Sequence, residues 1–158
     1  MKALSVKELK EELKNRSPKE LLELCLRLAV FKKENKELLT YILFESDNEL
    51  SYIESVKAEI DEQFKQINKK TYYLIKKSVR RILTNVKKYI RYSQNKQTEV
   101  ELLIYFCKKL RDLKPSIRRS PRLMNLFNGQ VEIIRKKIPT LHEDLQYDFG
   151  IELRELIS

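Results

Sequence analysis

Two glycines in a chain of 158 residues narrow the possible folds more than any other feature of this sequence. Turns between strands lean on glycine for positive φ and on proline for a preset φ. An all-β chain of this length needs many such turns, and here two glycines are joined by only four prolines. The abundant Lys, Leu and Glu are strong helix formers. The expected fold is therefore all-α: seven to eight antiparallel helices, in a multi-helix bundle or a short helical-hairpin (α-α superhelix-like) stack. A length of 158 residues suits a single all-helical domain, 1–158.

Helix boundaries can be placed from capping signals. Ser5-Val-Lys-Glu8 and Ser17-Pro-Lys-Glu20 fit capping boxes, in which the serine hydroxyl and the glutamate satisfy each other's backbone N–H groups. Pro18 then falls at a first helical position, where its missing N–H costs nothing. The helix after Ser17 carries an almost continuous apolar run from Leu21 to Phe31, which predicts a central, buried helix. Further helices are expected over about 35–44, 47–67 and 70–93. A sixth is expected from a capping box at Thr98-Glu-Val-Glu101 to Leu113. Ser120-Pro121 opens a seventh, with Asn128-Gly129 as a possible break before Pro139. Thr140-Leu-His-Glu143 opens an eighth, interrupted near Gly150. The segments Lys19–Leu26 and Lys36–Leu43 resemble each other 17 residues apart, either by chance between Leu-rich amphipathic helices or as a degenerate helical-hairpin repeat.

The residues that chemistry requires are sparse. Gly129 and Gly150 stand alone, so no phosphate-cradling glycine loop exists. His142 is the only histidine and lies in a polar stretch, so no Ser–His or Cys–His pair with a base partner is available. Cys25 and Cys107 sit within apolar runs and are expected to be buried free thiols. Glu11/Glu12, Asp61/Glu62 and Glu143/Asp144 are adjacent and point apart on a helix. Glu152 and Glu155 share a face but have no histidine beside them. No catalytic, cofactor or metal site is expected, and no small-molecule substrate. No stretch approaches the roughly 20 apolar residues of a membrane span, and the N-terminus lacks an apolar signal core. The expected location is cytoplasmic.

Leu4-Ser-Val-Lys-Glu-Leu-Lys-Glu-Glu-Leu-Lys14, followed by Lys19-Glu-Leu-Leu-Glu-Leu, resembles the two short helices of a SAP DNA-binding motif. The longer connecting loop and glycine of that family are missing, so the likeness is one of capped Leu/Lys/Glu helices in general. The stretch from Val6 to Phe44 also resembles the start of small, all-helical bacterial proteins of unknown function. That resemblance implies a bacterial cytoplasmic protein and nothing about activity.

Charge is distributed unevenly. Residues 1–62 carry a net of −3, residues 99–158 a net of +2, and residues 63–98 hold 11 basic and no acidic residues. The chain's net charge of +10 thus originates in the fifth helix and its flanks. At about 100° per residue, Ile75, Val79, Ile82, Leu83, Val86 and Ile90 form its core face. Lys76, Lys77, Arg80, Arg81, Lys87, Lys88 and Arg91 lie opposite, with Tyr73 among them. Like charges four residues apart cost about 0.2–0.5 kcal/mol each on a helix, so this face forgoes local stabilisation. One reading is neutralisation within the fold, by Glu54, Glu59, Asp61 and Glu62 or by Glu143, Asp144 and Asp148. The other is an electrostatic footprint for a polyanion, with Arg118, Arg119 and Arg122 as a second basic patch.

The expected function is that of a non-catalytic helical interaction module or scaffold for a protein partner, or for a second copy of the chain. The alternative is a basic nucleic-acid-binding module that uses the helix at about residues 70–93. The first predicts an exposed apolar patch and the second an uncovered basic face.

Overall fold

Side-chain caps set where most of the helices begin. Ser5 and Ser17 each accept from the N–H three residues on, and Glu8 and Glu20 close both capping boxes. Asn48, Thr71, Asn95 and Ser120 cap later helices in the same manner. The structure is a computed structural model describing all 158 residues. It contains α1 (Val6–Lys14), α2 (Pro18–Phe31), α3 (Lys33–Thr40), α4 (Glu49–Lys65), α5 (Tyr72–Ser93), α6 (Lys96–Arg111), α7 (Pro121–Lys137) and α8 (Glu143–Ile157). A π-helical turn, Tyr41–Glu45, follows α3, and 3-10 turns at Ile117–Arg119 and Ile138–Thr140 flank α7. There are no strands, and the all-α class is as the glycine scarcity predicts.

The chain divides into two compact units, residues 1–44 and 45–158. In the second unit α4 to α8 run alternately up and down. Lys57 Nζ lies 2.9 Å from Glu101 Oε1 and Lys109 Nζ 2.8 Å from Asp61 Oδ1, so α4 and α6 point the same way. Lys108–Glu152 and Arg111 Nη1–Glu155 O, both at 3.1 Å, do the same for α6 and α8. Lys137–Glu99 at 3.3 Å ties the end of α7 to the start of α6, as antiparallel neighbours require. Helix α6 is the centre of this bundle, packing against α4, α5, α7 and α8. Val100, Leu102, Leu103, Ile104, Phe106, Cys107 and Leu110 on it are all buried. Phe106 meets Phe64 of α4 at 5.8 Å between ring centroids, a tilted pairing favoured by the ring quadrupoles.

In the first unit α2 packs against α3. Ala29 and Tyr41 are its only buried residues.

Several expectations need correction. Helix α2 is not the buried centre: Leu22, Leu26, Leu28, Val30 and Phe31 are all exposed, because α3 covers only one side of it. Cys25 is exposed on the same helix, while Cys107 is buried as expected. Thr98 does not cap α6. Gln94 takes a left-handed φ of 56° and ends α5, so α6 starts two residues earlier, with Asn95 accepting from the Thr98 N–H at 3.1 Å. Thr98 is consequently buried inside the helix. His142, not Thr140, caps α8, through its Nδ1 and the Asp144 N–H at 3.2 Å. Neither Asn128-Gly129 nor Gly150 breaks a helix.

Candidate interaction surfaces

The first surface is α2. On a helical wheel, Glu20, Glu23 and Arg27 fall within one narrow polar strip. Apolar side chains occupy most of the remaining circumference. On one flank Leu22 keeps 59 % of its surface exposed, Leu26 53 % and Val30 80 %. On the other flank Phe31 keeps 83 %. Between the flanks, Leu28, Ala29, Leu38 and Ile42 line an apolar groove of about 180 Å³ between α2 and the segment that follows it. Three ion pairs form within this unit: Lys14 with Glu11, Arg16 with Glu20, and Lys33 with Glu37, at 3.3–3.7 Å. Around α2 the surface outside the polar strip is mainly hydrocarbon.

The second surface is α5. Its buried residues are Ile75, Val79, Ile82, Leu83, Val86 and Ile90, the six that the helical period assigns to the core. That packing turns the cations outward. Lys77, Arg80, Arg81, Lys87 and Arg91 are exposed and Lys76 half-buried. Lys88 is half-buried, 5.0 Å from the centroid of the Tyr89 ring, and has further interactions of its own. Tyr73 is 64 % exposed, with Lys76 Nζ 5.4 Å from its ring centroid.

No carboxylate lies in ion-pair contact with the other six cations. The acidic residues of α4 are engaged elsewhere. Asp61 accepts from Lys109 and from Tyr105 Oη at 2.7 Å. Burial raises its pKa, but these two donors outweigh burial and hold the carboxyl below the usual range. Burial, and then the bond to Asp61, push the Tyr105 phenol up to about 12. Glu62 pairs with Lys65 at 2.9 Å, Glu54 lies 3.6 Å from Lys57, and Glu59 accepts from Gln63. Of the C-terminal acids, Asp144 lies 3.6 Å from His142.

The second basic patch divides. Tyr72 Oη donates to the Ser116 carbonyl at 2.8 Å and draws the loop before α7 onto the start of α5. Arg118 and Arg119, in the 3-10 turn, are exposed to solvent. Arg122, in the first turn of α7, instead faces the cations of α5. Partial desolvation, and then the charges of Arg122 and Arg80, lower the pKa of the Lys76 ammonium. Helices α5 and α7 both lean on α6 and leave an open cleft of about 640 Å³ between them. Lys76, Arg80, Lys87 and Arg122 line it, and no acidic residue does.

No family model, curated protein or solved structure matches this chain. The two surfaces have to be read on their physics alone. Asn125 and Gln130 of α7 also line the cleft. The sequence reading missed both. Gln130 occupies a core position of α7, which the helical period of Leu123, Phe127, Val131 and Ile134 would have exposed as a polar residue out of place. There is no cluster of three or more His, Cys, Asp or Glu that could hold a metal ion. No helix is long and apolar enough to cross a membrane.

Proposed function

We propose that this protein is a non-catalytic helical interaction module that pairs with a second copy of itself through residues 1–44. The exposed apolar circumference of α2 carries the reading. A stretch of 44 residues with two buried side chains has little core of its own, and chains this short need outside stabilisation to stay folded. An exposed hydrocarbon surface of this breadth marks an interaction site. A second copy is the occupant favoured by charge. Residues 1–44 carry 10 basic and 7 acidic residues, and this mixture of signs leaves no uniform field to select an oppositely charged partner. An isologous contact, in which the same patch meets itself, is the commonest arrangement among oligomers. Sedimentation equilibrium of the full chain tests this. A concentration-dependent dimer supports it, and a monomer refutes it and assigns the face to a different protein.

A second reading rests on a separate observation, the six α5 cations without an ion-pair partner. It holds that the chain also binds nucleic acid through this face. Such binding should fall with salt, with a log–log slope near −0.7 to −0.9 per phosphate contacted. Reversing Lys77, Arg81 and Lys87 to Glu should abolish it with the helical circular-dichroism spectrum retained. Binding that survives the reversal removes the reading.

A further inference from the structure

We infer that the α5–α7 cleft seats one nucleotide of a single-stranded nucleic acid, its phosphate on Lys76, Arg80 and Arg122 and its base against Gln130. The inference rests on the nucleic-acid reading above and adds a site, a strandedness and residues from a second helix.

The cleft offers two kinds of recognition. Its rim is a cluster of cations from two helices, which suits a phosphate. Its deeper wall is neutral. Leu83 and Leu126 supply hydrocarbon there, and Gln130 supplies an amide that is only 7 % exposed. The Oε1 of Gln130 is buried and has no hydrogen-bond partner; Thr98 Oγ1 is in the same state, but of the two residues Gln130 lines the cleft. Buried polar atoms are rarely left in this state, and an acceptor so placed favours a ligand that brings an N–H donor.

A bare phosphate or polyphosphate satisfies the rim but has no donor for Gln130. A nucleobase with an exocyclic amino group has one. In a duplex the base is paired and held inside the stack, whereas a single strand can turn the whole base into a cleft. The volume of about 640 Å³ falls within the range of about 300–1,000 Å³ typical of small-ligand sites. The cleft is open rather than enclosed, so a chain can enter and leave it. Beside it, Tyr73 provides an exposed ring for a neighbouring base, since base stacking on aromatic rings tolerates any sequence. Lys77 and Lys87 continue the charge along the same helix. This continuation favours a strand over a free mononucleotide.

The test is fluorescence anisotropy on the full chain with a labelled single-stranded oligonucleotide of mixed sequence. Its duplex form, inorganic polyphosphate and adenosine monophosphate serve as competitors. The expected result is tighter binding of the single strand than of the duplex. Gln130→Met, which keeps side-chain length in a buried position, should weaken single-strand binding by about tenfold and leave the dissociation constant of polyphosphate unchanged. Arg122→Glu, at an exposed position, should weaken both. If single strand and duplex bind alike and Gln130→Met changes nothing, the cleft assignment falls while the basic-face reading stands. Loss of all nucleic-acid binding in the unmodified protein at low salt overturns both. Displacement of the oligonucleotide by adenosine monophosphate at equal nucleotide concentration overturns the strand and makes the ligand a free nucleotide. Thermal unfolding of Gln130→Met verifies that its effect is not loss of fold.

Discussion

Truncating Leu22 and Leu26 together to alanine should break the proposed pairing without harming the monomer. The two residues are four apart and share one flank of α2. They keep 59 % and 53 % of their surface exposed. Complete burial of a leucine stabilises by about 1.5–3 kcal/mol, so slightly more than half of that, about 0.8–1.7 kcal/mol, is still available to each side chain on association. In a symmetric pair each leucine counts twice. Alanine retains the Cβ, which leaves an expected loss of about 2–5 kcal/mol over four side chains. At 1.4 kcal/mol per tenfold this is a dimer roughly 30- to 4,000-fold weaker. Sedimentation equilibrium over a wide concentration range measures it, and circular dichroism shows that helix content is unchanged. Two results refute the reasoning: a wild-type chain that stays monomeric to about 100 μM, or a double variant that associates as strongly as the wild type. A control substitution in the polar strip, Glu23→Ala, should leave association within a few-fold of wild type.

The two thiols should separate cleanly. Cys25 is exposed, whereas burial of Cys107 pushes its thiol up to about 12. A thiol-specific chromogenic reagent at neutral pH should therefore titrate one cysteine in the native protein and two in denaturant. Cys25→Ser should remove the native signal, and its persistence would contradict the burial of Cys107. The Asp61 cluster predicts an acid-dependent stability. Because Lys109 and Tyr105 hold the folded carboxyl below its unfolded value, the contribution is fully present above the unfolded pKa of about 3.9. It is lost as pH falls through the lower, folded value. Urea unfolding from pH 7 down to pH 3 should show wild type losing more stability than Asp61→Asn. Equal losses would mean that the cluster does not hold the two helices together.

The all-α class followed from glycine scarcity and capping grammar, and both are local properties. The same holds for α5. Its six core residues and its outward cations follow from one period of 3.6, because packing against any neighbour turns the same stripe inward. Tertiary structure alone could reveal that no acidic helix covers that cationic face. It also brings Arg122 across from α7, and Gln130 with it, since α5 and α7 both pack on their shared neighbour α6.

Helices α2 and α6 mark the limit most sharply. Leu21-Leu-Glu-Leu-Cys-Leu26 and Leu102-Leu-Ile-Tyr-Phe-Cys107 read alike as apolar helical runs, and the first was the expected centre. The sequence by itself determined that both are helices and that each needs a covering. Which one is covered depends on how many helices reach it. Four helices surround α6, and within its own unit α2 packs on α3. Apolar periodicity records the demand for burial. The supply comes from packing partners far away in the chain, and for α2 the structure leaves that demand open on both flanks, from Leu22 on one to Phe31 on the other.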